Sequence, residues 1–126
     1  MAIQAAGARV WRGMMLAAAL AVIGTPASAQ IRIGQTAGFT GAVAAGVKEV
    51  SSGAKLYLDA INQAGGVAGQ TIELIALDDK FEPALAAENA KKLIDQGVIA
   101  LFLTRGTPHT QAVLPLLAQY KVPLIG

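Results

Sequence analysis

Gly97-Val98-Ile99-Ala100-Leu101-Phe102-Leu103-Thr104 is the stretch that decides the fold. An unbroken apolar run from Val98 to Leu103 stands between a glycine and a polar loop. Such a run, with no polar alternation, reads as a strand buried on both faces, as in a parallel sheet covered by helices. On its N-terminal side lies a helix opened by Pro83, where the missing N–H costs nothing. That helix runs to about Gln96 with Leu93 and Ile94 facing inward, and Gly97 stops it. Upstream, Thr71 to Leu77 is a strand closed by Asp78-Asp79. Val43, Val47, Val50, Ala54, Leu58 and Ile61 recur at spacings of three and four, one face of a long helix. Gly65-Gly66 ends it, because glycine accepts the left-handed conformation of many helix C-termini, and Gly69 makes the next turn. Ile31 to Thr36 alternates as a strand and runs into the Gly-rich loop Ala37-Gly38-Phe39-Thr40-Gly41. Downstream, Thr107-Pro108 reads as an N-cap and a first-turn proline. Val113, Leu116, Leu117 and Tyr120 line that helix, with Pro115 expected to bend or tighten its first turns. Val122 to Ile125 begins a fourth strand.

The order βαβαβαβ predicts an α/β fold, a doubly wound parallel sheet with helices on both faces. A fourth buried strand followed at once by Gly126 suggests part of a larger lobe, so the reading expects more chain beyond it.

The first 29 residues are of another kind. Arg9 and Arg12 precede an apolar run from Met14 to Ile23, then Gly24-Thr25-Pro26 and Ala27-Ser28-Ala29. A positive region, a short apolar region and a small-x-small site are the parts of a cleavable signal peptide, with cleavage expected after Ala29. The apolar run is about half the ~20 residues that a spanning helix needs. The expected product is exported, most simply to a bacterial periplasm.

The chain has 126 residues, 54% hydrophobic and 14% charged, with net charge +2 and no cysteine. A disulfide scaffold, a thiolate metal site and a cysteine nucleophile are excluded. Ten basic groups less Arg9 and Arg12 leave eight against eight acids after the leader, so the apparent basicity gives nucleic-acid binding no support.

In a doubly wound sheet, ligands sit beyond the carboxyl ends of the strands. Three loops lie there: Ala37–Ala42, Asp78–Pro83 and Thr104–Pro108. The first lacks the G-x-G-x-x-G order and any following G-K-[ST], so its glycines read as a tight strand-to-helix turn rather than a phosphate cradle. Asp78-Asp79 with Glu82 reads as a solvated turn capping the next helix, because adjacent strand residues point to opposite faces and make no dyad. His109, the sole histidine, has no nucleophile beside it and reads as a polar surface residue. No cofactor and no metal is expected. The third loop is the strongest candidate: Thr104, Thr107 and Thr110 offer hydroxyls, Arg105 a bidentate cation, and the helix start free N–H groups that attract an anion such as a carboxylate. Thr107 can cap the helix and still leave other N–H groups free.

At this point the chain resembles type I periplasmic binding proteins. The resemblance rests on Ile31-Arg32-Ile33-Gly34, the Thr40-Gly41 turn and Ile61-Asn62-Gln63-Ala64-Gly65-Gly66-Val67-Ala68-Gly69. It continues through Ile72-Glu73-Leu74, Asp78-Asp79, Pro83, Gly106-Thr107-Pro108 and Val122-Pro123-Leu124-Ile125. It covers 31–126 and is strongest to the leucine/isoleucine/valine-binding group that serves ABC importers. The resemblance implies two α/β lobes closing on a small molecule, with 30–126 the first part of the N-terminal lobe of a leucine-binding-protein-like domain. It implies that the hydroxyl after the third strand, here Thr107, meets an amino acid's carboxylate, with Gly106, Arg105 and Thr104 beside it. The acid that meets the ammonium group would lie in the second lobe. Many amino-acid binders of the group carry an aromatic residue in the first loop region; Ala45 falls in that register, with Phe39 nearby. Branched-chain or other amino acids, amides, and aromatic or dicarboxylic acids all stay open as ligands.

The expected function is a non-enzymatic solute receptor for amino acids or related small carboxylates, delivering them to an ABC permease in the inner membrane. The alternative is a ligand-sensing domain of a receptor or regulator with the same fold. An exported α/β enzyme is disfavoured, since no G-x-S-x-G elbow or base–nucleophile pair is present.

Overall fold

The computed structural model describes residues 30–126, and the signal-peptide reading of 1–29 lies outside them. Seven elements follow the expected order: β1 (Ile31–Ala37), α1 (Ala44–Gln63), β2 (Ile72–Asp78), α2 (Pro83–Asp95), β3 (Ala100–Phe102), α3 (Thr107–Tyr120) and β4 (Leu124–Ile125). All strand pairs are parallel and the spatial order is β2-β1-β3-β4. The chain thus steps to one side of β1 and then crosses to the other, the reversal that makes a sheet doubly wound.

Neighbouring residues of β1 show the two layers. A Cβ on Gly34 would lie 3.0 Å from Leu93 Cδ1 in α2 and 3.0 Å from Leu101 Cδ2. The next residue, Gln35, lies within hydrogen-bond distance of Ser51 in α1 (Nε2 to Oγ 3.0 Å). Successive strand residues point to opposite faces, so α1 and α2 cover opposite faces.

The packed core lies on the α2 side, where Ala86, Ala90, Leu93, Val98, Leu101, Val113 and Leu117 are buried together. Burying a leucine or valine of this kind is worth about 1.5–3 kcal/mol. The small side chains at Gly34, Ala86 and Ala90 let the helix sit close to the sheet. The α1 side is more open. Of the stripe expected to face inward only Val47 is fully buried, and Val50 is 50% exposed. Asn62 fastens the far end of α1: its amide donates to Ile72 O (2.8 Å) and accepts from Ile72 N (2.7 Å), as a neighbouring strand would. Gly66 turns the chain at φ 73°, and a Cβ there would stand 2.0 Å from Gln70 O.

Two strand boundaries and the facing of one residue differ from the sequence reading. β3 spans only Ala100–Phe102; at its far end Leu103 still donates its N–H to Ile125 O (3.0 Å) and then turns left-handed (φ 51°), ending the strand. β4 starts at Leu124, since Pro123 has no N–H to donate and serves only as acceptor for Leu101 N (2.9 Å). Tyr120 is exposed on α3 rather than facing the core.

Candidate functional site

All three helices begin at the carboxyl edge of the sheet. Their N-cap residues, Val43, Glu82 and Gly106, make no side-chain cap, and none of the three first turns holds an acid. The helix dipoles place partial positive charge at each of these helix starts.

The first two loops are tied together by Asp78. Its carboxylate accepts from Phe39 N (2.8 Å), Thr40 N (3.2 Å), Thr40 Oγ1 (2.6 Å) and Lys80 N (2.9 Å). The Thr40 hydroxyl leads in holding its pKa below the ordinary 3.8, partial burial opposes it, and the three N–H groups add to the lowering. Asp79 turns the other way and is fully buried. It accepts from Thr36 Oγ1 (3.1 Å) and Phe81 N (2.9 Å). Asn89 of α2 donates to Asp78 O (3.0 Å). The pair is therefore not a solvated helix cap. The opposite-facing geometry holds, but the carboxylates are spent on shaping the loops, and Glu82 occupies the cap position without capping.

The third loop is built on Gly106, whose φ of 99° suits glycine. A Cβ there would stand 2.8 Å from His109 Nδ1 and 3.2 Å from Phe81 Cε2. Gly106, not Thr107, is the N-cap; Thr107 is the first helical residue, exposed and free of capping duty. The expected Thr107 cap is thus corrected: a glycine with positive φ sets the entry, and the Thr107 side chain is left at the surface. His109 is also not a surface residue. It is 3% exposed and stacks on Phe81, and neither ring nitrogen has a hydrogen-bond partner. Thr104 Oγ1 and Thr110 Oγ1 lie 3.3 Å apart, joining the loop to the first turn of α3.

The predicted residues gather at one edge but not in one pocket. Thr104 and Arg105 line a pocket of about 120 Å³ with Gln35, Ala37, Val47 and Val50. Phe39 lines a wider groove of about 460 Å³ between α1 and β2, with Leu58 and Leu74. Gln35 borders both and fixes the third loop by donating to Leu103 O (3.2 Å). Thr107 borders neither. Arg105 folds over α1, where a Cβ on Gly46 would lie 3.1 Å from its Nη1. Gln35, Gly46 and Phe81 were not singled out from sequence. Two adjacent polar residues, Gln35-Thr36, near the carboxyl end of an otherwise buried strand were the one available signal. Among the described residues no group of three His, Cys, Asp or Glu side chains is placed to hold a metal.

The periplasmic binding protein family model matches residues 30–126. The chain is 39% identical over 72 residues to the Leu/Ile/Val-binding protein BraC3 of Rhizobium johnstonii, covering 57% of this chain and 20% of that protein. It is 37% identical over 87 residues to an amino acid binding protein of Pseudomonas aeruginosa, covering 68% and 23%. Its fold matches the branched-chain amino acid transporter substrate binding protein LivJ of Streptococcus pneumoniae, solved in complex with isoleucine. That match has TM-score 0.72 and 34% identity, over 76% of this chain and 28% of that one. The chain spans between 20% and 28% of the length of these relatives.

Proposed function

The chain belongs to the periplasmic binding protein family, and from that premise we propose that it forms part of a solute receptor for an ABC importer of amino acids or related small carboxylates. Residues 30–126 supply the first part of the N-terminal lobe; a second lobe closes over the ligand by a hinge. The leader 1–29 directs export to the periplasm and is cleaved after Ala29. The receptor binds and releases its ligand without covalent chemistry.

The observation that carries this reading is the open N-terminus of α3. Thr107 offers its exposed hydroxyl and Gly106 its half-buried backbone at a helix end with no side-chain cap and no acid in its first turn. A carboxylate placed there meets N–H donors, a hydroxyl and the positive end of a helix dipole together. Thr104 and Arg105 precede that position in the same loop and line a separate small pocket against α1. Similarity to a Leu/Ile/Val-binding protein and to a substrate binding protein solved with isoleucine supports the ligand class.

The test is thermal unfolding of the intact gene product with a panel of amino acids and their carboxyl-amidated forms. A ligand at about 100 times its Kd stabilises the bound state by about 2.7 kcal/mol, so a free carboxylate raises Tm measurably. Stabilisation by no small carboxylate, or equal stabilisation by the amides, contradicts the proposal.

A further inference from the structure

Gln35 is an amide where a strand of this sheet calls for an apolar side chain. It is 2% exposed, on a strand with neighbours on both sides. Burying an amide is unfavourable unless its polar atoms are paired. Its Nε2 donates to Leu103 O (3.2 Å) and to Ser51 Oγ (3.0 Å), and its Oε1 accepts from Ser51 Oγ (3.2 Å). Leu103 O can only accept, so the end of the amide that faces it must be the NH2 group. The amide thereby joins β1, α1 and the loop that follows β3.

The start of that loop has little else to hold it. β1 and β3 pair through Ile33 with Ala100 and Gly34 with Leu101, and the ladder goes no further. Leu103 N–H stays with Ile125 O (3.0 Å), and the next backbone-to-backbone bond along the chain is Thr110 N to Gly106 O (3.0 Å). Thr104 and Arg105 lie between them with no such bond among the described residues. Leu103 also holds φ 51°, a conformation disfavoured for every residue with a Cβ, so a contact must keep it there. The Gln35 amide takes its carbonyl, upstream of Thr107 in the same loop. The stack of His109 on Phe81 holds the far end of the loop; Gln35 holds the near end. Resting on the proposed receptor function, we infer that Gln35 is a positioning residue of the ligand site. It acts through the loop and not on the ligand, fixing the turn at Leu103 that leads the chain to Thr107. Ser51 orients the amide, so α1 takes part in holding the loop. A loop set in advance spares the ligand the entropy of ordering it.

The experiment is a double-mutant cycle in the intact gene product, read by calorimetric titration. L-isoleucine, L-leucine, L-valine, L-glutamate and succinate are titrated into wild type, and the tightest binder among them is carried through the cycle. Gln35→Met keeps the length and removes the donor; Gln35→Glu keeps the shape and, as a carboxylate, only accepts. Either serves if the other does not fold. Leu103 and Ser51 are half-buried, so water can reach the groups set free, and Tm is expected to fall by less than about 5 °C. Each Gln35 variant is expected to weaken binding about ten-fold. Thr107→Val, at about ten-fold in wild type, then costs less than about three-fold in the Gln35 background, because a hydroxyl out of position has little to lose. Binding by the Gln35 variant within about two-fold of wild type overturns the inference and leaves the receptor reading intact. So does an equal cost of Thr107→Val in both backgrounds, since the two residues then act independently. If neither Gln35 variant folds, the amide serves the core and the inference fails. Thr107→Val without effect in wild type overturns the carboxylate position and the inference together, and absence of binding by all the probes overturns the receptor reading as well.

Discussion

The imidazole of His109 stacks on the ring of Phe81, with centroids 4.5 Å apart and planes 22° from parallel. This contact joins the second loop to the first turn of α3. It also sets the third loop, because Gly106 passes so close that a Cβ there would stand 2.8 Å from Nδ1. The position of Thr107 thus depends on an aromatic stack with one half in the second loop and the other in α3. Phe81 itself holds φ 62°, with its N–H received by Asp79, which in turn takes the Thr36 hydroxyl. A chain of contacts therefore runs from the middle of the sheet to the proposed carboxylate position.

The stack predicts opposite outcomes for two substitutions of His109. Both ring nitrogens are buried without partners, so the ring acts here as an apolar plate. His109→Phe keeps the plate and removes two unpaired polar atoms; its stability falls within about 1 kcal/mol of wild type or above it. His109→Ala leaves a cavity and costs about 2–3 kcal/mol. Urea unfolding of the intact gene product measures both. Equal damage from the two would mean that the ring nitrogens have partners.

Asp78 predicts a pH-dependent effect. Its folded pKa is depressed, chiefly by the Thr40 hydroxyl. A depressed carboxylate contributes stability that is fully present above its unfolded pKa and fades as pH falls through the folded value. Asp78→Asn costs about 1–2 kcal/mol at neutral pH, through loss of charge-assisted bonds to the first loop. The gap between wild type and variant then shrinks below about pH 4. Urea midpoints across pH measure it, and a gap that stays constant or widens in acid contradicts the assignment.

Gly46 predicts a gain in stability. Alanine there improves the helix by about 0.5–1 kcal/mol. The only group its Cβ crowds is the movable end of Arg105. Gly46→Ala therefore raises Tm while shifting the guanidinium. A lowered Tm counts against the packing of Arg105 on α1.

Much of this architecture is legible in the sequence because punctuation and periodicity agree. Pro83 opens α2, Gly97 follows its end at φ 80°, and Gly65-Gly66 terminate α1, as local backbone rules require. The boundaries that moved did so for long-range reasons. β3 stops early where Leu103 turns left-handed while its N–H pairs with Ile125 O. The site was half legible. The loop Thr104–Thr107 stands at the expected edge, but the Thr107 cap gave way to Gly106, and the buried states of Asp79 and His109 depend on Thr36 and Phe81, partners distant in the chain. No local pattern encodes such a pairing. The wide groove along α1 was likewise invisible, since the apolar spacing of α1 reports a face and not what covers it.

The central claim is that a ligand carboxylate is held at the α3 N-terminus by Thr107, and calorimetric titration tests it most directly. The ligand that stabilises the intact gene product most is titrated against wild type and Thr107→Val, together with its carboxyl-amidated form. The account predicts that amidation weakens binding to wild type by about a hundred-fold, and that Thr107→Val costs about ten-fold for the free acid, the loss of one hydrogen bond to a charged group. Amidated ligand binding as tightly as the acid, or Thr107→Val binding the acid like wild type, would contradict it.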